Sequence, residues 1–156
     1  MTENFEIRDA EPEDLGKIAD LVVRLKRLNE EFDPLLRVRD DAHEVAKKEY
    51  QKAIGSGNDV VLVILNKGEI VGLLKASIKE RKYYEPRMEG VIEDFYIMPA
   101  HRRKSIGVRL LQKATDELKK KGAGLIVAEF PLQNKIAAEF YQKMGFRAVI
   151  GVYGKD

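Results

Sequence analysis

An α+β fold built on a central mixed, mostly antiparallel β-sheet flanked by helices is the architecture this sequence predicts. Three observations predict it. Apolar residues alternate between strand-like and helical spacing in the order strand, two helices, three strands, helix, strand, helix, strand. Two neighbouring apolar runs are joined by a short Gly-containing turn, the mark of an antiparallel hairpin. At 156 residues the chain has the size of one ordinary domain, expected to span 1–156 around one core.

Phe5-Glu-Ile-Arg alternates like an edge strand, and Pro12 suits the first turn of a helix in which Leu15, Ile18, Ala19, Val22 and Leu25 share a face. Pro34 disfavours helix at Asp33 and closes this segment. A second helix is predicted from Asp40 or Asp41, with Asp41 and Glu44 patterned as a capping box and Gly55-Ser-Gly57 as its stop. Val60 to Leu65 is a β-branched run that Asn66-Lys-Gly-Glu69 turns back into Ile70 to Ile78, a central hairpin. A strand from Gly90 to Met98 follows, then a basic turn and a helix whose apolar stripe is Ile106, Leu110, Leu111, Ala114 and Leu118. Lys119-Lys-Lys-Gly122 ends that helix with cations at its negative pole. The last elements expected are a strand over Leu125–Phe130, a helix from Lys135 to Met144 and a final strand from Phe146 to Tyr153.

Composition removes several chemistries. There is no cysteine, hence no disulfide framework, thiolate metal site or cysteine nucleophile. The two histidines, His43 and His101, are far apart and have no second imidazole at helical spacing, so neither a metal nor a histidine-based triad is expected. Lys plus Arg number 28 against 26 Asp plus Glu, a formal charge of +2. With basic residues interleaved among acids and no stacking aromatics, no nucleic-acid partner is expected. No apolar run reaches membrane-spanning length and the first residues lack the pattern of a secretory signal, so the expectation is no membrane partner and a cytoplasmic location.

The chemistry is concentrated in two stretches. In Ile92-Glu-Asp-Phe-Tyr-Ile-Met-Pro-Ala-His-Arg-Arg-Lys-Ser-Ile-Gly107, an apolar strand meets a basic turn that opens an amphipathic helix. Basic side chains and unpaired helix N–H groups converge there, as an anion site requires. Downstream, Val127-Ala-Glu-Phe-Pro-Leu-Gln-Asn134 leads into Ala137-Ala-Glu-Phe-Tyr-Gln-Lys-Met-Gly-Phe146. The spacing Arg102-x-x-Ser105-x-Gly107 resembles the pyrophosphate-binding motif of the Gcn5-related N-acetyltransferases (GNAT). The later stretch resembles that family's late strand, helix-capping Asn, Phe-Tyr and Gly-Phe. The resemblance is most specific from Glu89 to Phe146, and the order of elements before it agrees.

The resemblance implies the GNAT fold, in which two neighbouring strands splay apart and acetyl-CoA, as co-substrate, inserts its pantetheine arm. Here the gap would lie between the Glu93–Met98 and Leu125–Phe130 strands. It implies that backbone N–H groups of Arg103, Lys104, Ser105, Ile106 and Gly107 bind the pyrophosphate, that Arg102 braces the loop, and that Phe95, Tyr96 and Ile97 pair with pantetheine like an added strand. Ser105 departs from the family's usual Gly. Asn134 either contacts the pantetheine or phosphate region of the cofactor or is a plain helix cap.

The implied activity is direct transfer of an acetyl group to a primary amine in a ternary complex. A lysine-like ammonium, with pKa ~10.4, is mostly unreactive at pH 7, and deprotonating it costs roughly 4 to 5 kcal/mol. Glu93 stands where several family members carry a proton-relaying glutamate. Asp94, expected on the opposite sheet face, and a backbone-held water are the alternatives. Tyr141 matches the tyrosine that protonates the departing thiolate; its other reading is core packing. Glu30, Glu31 and Asp33 with Tyr83, Tyr84 and Glu85 form a candidate acidic and aromatic rim for the acceptor, and Glu129 faces either acceptor or solvent. Polyamine-like small molecules and peptide or protein amines are the two acceptor classes in view. A catalytically weak acyl-CoA-binding or regulatory module is the alternative function. A homodimer is expected because many relatives pair through their late strands.

Overall fold

The computed structural model describes residues 4–102 and 105–156. Its elements are β1 (Phe5–Asp9), α1 (Leu15–Phe32), α2 (Ala42–Ile54), β2 (Asp59–Asn66), β3 (Glu69–Glu80), β4 (Met88–Ile97), α3 (Ile106–Lys120), β5 (Leu125–Ala128) and α4 (Lys135–Lys143). The strands form one sheet in the order β1-β2-β3-β4-β5, antiparallel up to β4, with β5 added parallel to β4. The parallel pairing follows from the crossover through α3, which returns the chain to the start of β4.

Local chemistry sets the ends of these elements. A 3-10 turn at Pro12–Asp14 leads into α1. Asp14 accepts from the Glu11 backbone N–H at 2.8 Å and from both Arg8 guanidinium nitrogens at 2.7 and 3.0 Å, tying β1 to the start of the helix. The capping box expected at Asp41 is absent: its carboxylate is held by Arg39 at 2.7 and 2.8 Å and makes no cap bond. The β2–β3 turn places Lys67 at φ 52° and Gly68 at φ 82°. Two consecutive positive φ values are what a tight hairpin of native twist requires, and Gly supplies one without strain.

The sheet is covered on both faces. Val61, Val63, Leu65, Leu73 and Tyr96 pack under α1 and α2 with Ile18, Leu21 and Tyr50. Leu62, Ile64, Leu74, Ala76 and Ile92 pack under α3, whose Leu110, Leu111, Ala114 and Leu118 are fully or almost fully buried. Close approach of α3 to β4 depends on Gly90, where an added Cβ would fall 2.8 Å from a Leu118 methyl.

The final strand expected over Phe146–Tyr153 does not form. Residues 146–156 carry no regular structure, and after the Phe146 N–H bond to the Tyr141 carbonyl they make no backbone hydrogen bond to any described residue. The alternating apolar residues that suggest a strand are there, but no strand of the sheet receives them. Val149, Ile150, Val152 and Tyr153 are instead 70–95% exposed.

Candidate active site

β4 and β5 pair from Glu89↔Leu125 to Ile92↔Ala128, and the last bond runs from the Glu129 N–H to the Ile92 carbonyl at 3.0 Å. There β5 ends, while β4 continues to Ile97 along β3. The edge of β4 from Glu93 onward therefore lacks a strand on one side. The Met98 N–H donates to the Val71 carbonyl. The alternation of an antiparallel ladder then directs the backbone of Asp94 and Tyr96 to β3, and that of Phe95 and Ile97 to the gap. Of the three residues expected to pair with pantetheine, two present their backbone to it. The Ile97 carbonyl is already taken by Arg102 Nε at 2.8 Å.

A bulge shapes the start of the gap. Lys75 pairs with Asp94 and Ala76 with Ile92, so Glu93 is an extra residue on β4. The expectation that Glu93 and Asp94 occupy opposite faces fails for this reason. Both turn toward α1 and α2, because the bulge interrupts the alternation between them. Glu93 Oε1 accepts from Lys75 Nζ and from Ser77 Oγ, each at 2.9 Å. Burial pushes the Glu93 carboxyl up, but the hydrogen bonds from Lys75 and Ser77 and the charges of Lys75 and Lys79 outweigh it and hold the group below the usual glutamate value. Asp94 is buried and accepts from Lys26 Nζ and from the Tyr50 hydroxyl, both at 2.6 Å. Burial first, then the Asp94 charge, pushes the Tyr50 phenol well up.

Tyr141 lies across the gap, on the α3 side. It is 6% exposed, stacks on Phe130 at 5.2 Å, and meets Phe140, Phe146 and Phe95 edge-on. The ring packs as core, as one reading of the sequence expects, and its hydroxyl bonds to no described residue. Burial alone pushes its phenol well above the usual tyrosine range, so it stays protonated at every working pH.

Around the basic turn, Arg102 also lays its guanidinium over the Tyr96 ring at 5.5 Å, a cation–π contact that fixes the turn to β4. Arg103 and Lys104, expected to bind pyrophosphate, lie outside the described residues. Ser105 has φ −115°, which any residue adopts, so replacing glycine there strains nothing. Ile106 is 2% exposed and belongs to the core, which leaves only its backbone for a ligand. Gly107 sits in the first turn of α3, where a Cβ in its place would meet the Phe140 and Phe95 rings at 3.5 and 3.8 Å. Asn134 caps α4, its side-chain oxygen accepting from the Ala137 N–H at 3.1 Å.

The residues named for the acceptor do not converge. Glu30 accepts from the Val38 N–H at 2.6 Å and braces the connection after α1; Glu31 is exposed. Tyr84 is 66% exposed under the Arg81 guanidinium in the β3–β4 loop. Glu129 is exposed at the point where β5 leaves β4, and by strand alternation it shares the Glu93 face. The sequence reading missed Lys75, Ser77, Lys26 and Tyr50. The first two carried a signal, a lysine and a serine inside the apolar run Ile70–Ile78. Lys26 and Tyr50 carried none, since they meet Asp94 only through the packing of α1 and α2.

Comparison with known proteins agrees with this fold. The family model described as the acetyltransferase (GNAT) family matches residues 22–146. An uncharacterized N-acetyltransferase of Methanocaldococcus jannaschii is 30% identical over 79 residues, a stretch that covers 51% of this chain and 35% of that relative's length. Among solved structures, the aminoglycoside N-acetyltransferase AAC(6')-Iy in complex with CoA superposes with a TM-score of 0.79 at 17% identity, over 100% of this chain and 96% of its own. Glucosamine-6-phosphate N-acetyltransferase from Arabidopsis thaliana gives 0.72 at 21% identity over 99% of each. A transcriptional regulator from Bacillus halodurans gives 0.79 at 24% identity, over 98% and 99%. These structures share the fold, and the family match extends over most of the chain. The chain belongs to the acetyltransferase (GNAT) family, a family of acetyl-CoA-dependent N-acetyltransferases.

Proposed function

We propose that the protein, read as one domain over 1–156 and cytoplasmic, transfers an acetyl group from acetyl-CoA to a primary amine by direct attack in a ternary complex. The supporting observation is the gap between β4 and β5, with a half-buried carboxylate on one face and a buried, protonated phenol on the other. The edge at Phe95, beside which no described strand lies, and the first-turn N–H groups of α3 fit an amide-bearing arm and a pyrophosphate, and acetyl-CoA when bound supplies the thioester carbonyl. Glu93 accepts the proton from the acceptor's ammonium, directly or through a water, and so makes a lone pair available for attack. Tyr141 holds a proton on the opposite side, where the departing sulfur needs one. Arg102 keeps the turn against β4, while Asn134 fixes the start of the helix that carries Tyr141.

The acceptor is a polyamine-like small molecule or a peptide or protein amine. Amino sugars are a third acceptor class, because an aminoglycoside N-acetyltransferase and a glucosamine-6-phosphate N-acetyltransferase share this fold. Thiol release from acetyl-CoA, measured with diamines, amino acids, amino sugars and short peptides, separates the classes. Turnover with one class names the acceptor. Binding of acetyl-CoA with no turnover on any amine would favour an acyl-CoA-binding module, and no binding would refute the assignment.

We further propose a homodimer. Residues 147–156 are exposed, carry the apolar Val149, Ile150, Val152 and Tyr153, and pair with no described residue of their own chain, and among the described residues no strand lies on the outer edge of β5. A surface hollow of about 300 Å³ adjoins that edge, lined by Leu111, Thr115, Ile126, Met144 and Phe146. A segment with strand-like residues and an acceptor edge on one chain are self-complementary, the condition for a closed two-fold pair.

A further inference from the structure

The β4 bulge creates an electrostatic difficulty. It turns two consecutive carboxylates, Glu93 and Asp94, onto one face of the sheet beneath α1 and α2. Placing two carboxylates on one partly buried face costs solvation that a cation beside each offsets, and a base must be ionised to accept a proton. Each carboxylate has its own cation from a different element. Lys26 of α1 takes Asp94 Oδ1, with the Tyr50 hydroxyl of α2 on Oδ2, which satisfies both oxygens. Lys75 of β3 takes Glu93 Oε1 and shares that oxygen with Ser77, leaving Oε2 without a described partner.

We infer that Lys75 is a positioning residue for acetyl transfer: it holds Glu93 as a carboxylate beside Asp94 and, with Ser77, anchors Oε1 so that Oε2 is presented to the acceptor amine. The inference rests on the reading of Glu93 as the proton acceptor. Lys75 sits in the strand between Leu74 and Ala76, both fully buried, and only 14% of its side chain is exposed. A lysine there carries a desolvation cost that a surface charge would not, and its ammonium points at one oxygen of one carboxylate. The other groups facing Glu93 are the exposed Lys79 on the same strand, Asp94 beside it on β4, Tyr50 from α2 and, through Asp94, Lys26 from α1; Glu129 stands exposed on the same face at the end of β5. Among these, Lys75 is the one in hydrogen-bond contact with Glu93 that carries positive charge.

The test does not need the acceptor. The Glu93 carboxyl carbon is followed by NMR as pH is changed, its resonance assigned by disappearance in Glu93→Gln. In Lys75→Met the titration of Glu93 is expected to move to higher pH, whereas Lys75→Arg keeps it near that of the unaltered protein. A Lys75→Met titration that stays in place overturns the inference. Should Lys75→Met fail to fold, Ser77→Ala must move the titration in the same direction by a smaller amount, and no movement is equally fatal. With an acceptor in hand, the acid limb of kcat/KM for Lys75→Met moves upward, with a loss on the order of tenfold below the limb that closes at high pH. Full activity in Glu93→Gln would refute the proton-acceptor reading while leaving the NMR result standing. Loss of activity in Glu93→Gln with an unmoved Lys75→Met limb would refute the role of Lys75 alone.

Discussion

Glu93 and Asp94 are adjacent in sequence, yet among the described residues only Glu93 has a carboxylate oxygen without a partner. Asp94 spends both on Lys26 and Tyr50, which pins α1 and α2 to the strand that carries Glu93. Tyr50→Phe removes one of these donors from a buried carboxylate, and a loss of about 1–3 kcal/mol is expected from chemical denaturation. An unchanged midpoint would mean that the hydroxyl contributes nothing. At this scale the sequence was readable where chemistry is local. Glu93, Tyr141 and Arg102 were named from their motifs, and all three border the gap or brace it. Asp94 was placed on the wrong face because strict alternation was assumed, and one bulged residue reverses every face after it. The acceptor-rim residues were chosen for charge and aromaticity, which do not determine direction; Glu30 turns to a backbone N–H and Tyr84 to Arg81.

Element boundaries were legible wherever turn chemistry is specific. The Lys67-Gly68 hairpin, the Pro12 turn that leads into α1 and the Gly55 end of α2 all form where the sequence predicts. Elements that depend on distant partners were less so. The expected strand over 146–153 has strand-like residues but no strand to pair with, and pairing is not encoded within a segment. The gap itself depends on β4 outrunning β5 and keeping its register with β3, and Gly72 permits that register. A Cβ at Gly72 would fall 2.8 Å from the Tyr96 carbonyl oxygen, a backbone atom that cannot swing aside. Gly72→Ala should therefore cost roughly 1–3 kcal/mol by overpacking. A thermal midpoint equal to that of the unaltered protein would show that β3 and β4 can separate without penalty.

For the whole molecule, the sheet divides the labour. One face, under α1 and α2, gathers the carboxylates and their lysines; the other, under α3 and α4, gathers the aromatic cluster around Tyr141. The gap at the end of β5 joins the two, and under the proposed function the amine would arrive from the Glu93 face and the thioester sulfur would lie toward Tyr141. The exposed tail belongs to this scale too. Sedimentation should report a dimer for the full chain and a monomer after deletion of residues 147–156; an unchanged mass would place the interface elsewhere or remove it. On the proposed reading, acetyl passes in this gap from a thioester on the Tyr141 side to an amine on the Glu93 side. The most direct test of that transfer is the rate of thiol release from acetyl-CoA, with the best amine, for the unaltered protein, Glu93→Gln and Tyr141→Phe across pH. The account predicts losses of about 100-fold or more in both variants, with the acid limb abolished in Glu93→Gln. Rates in both variants within a few-fold of the unaltered protein at every pH would contradict it.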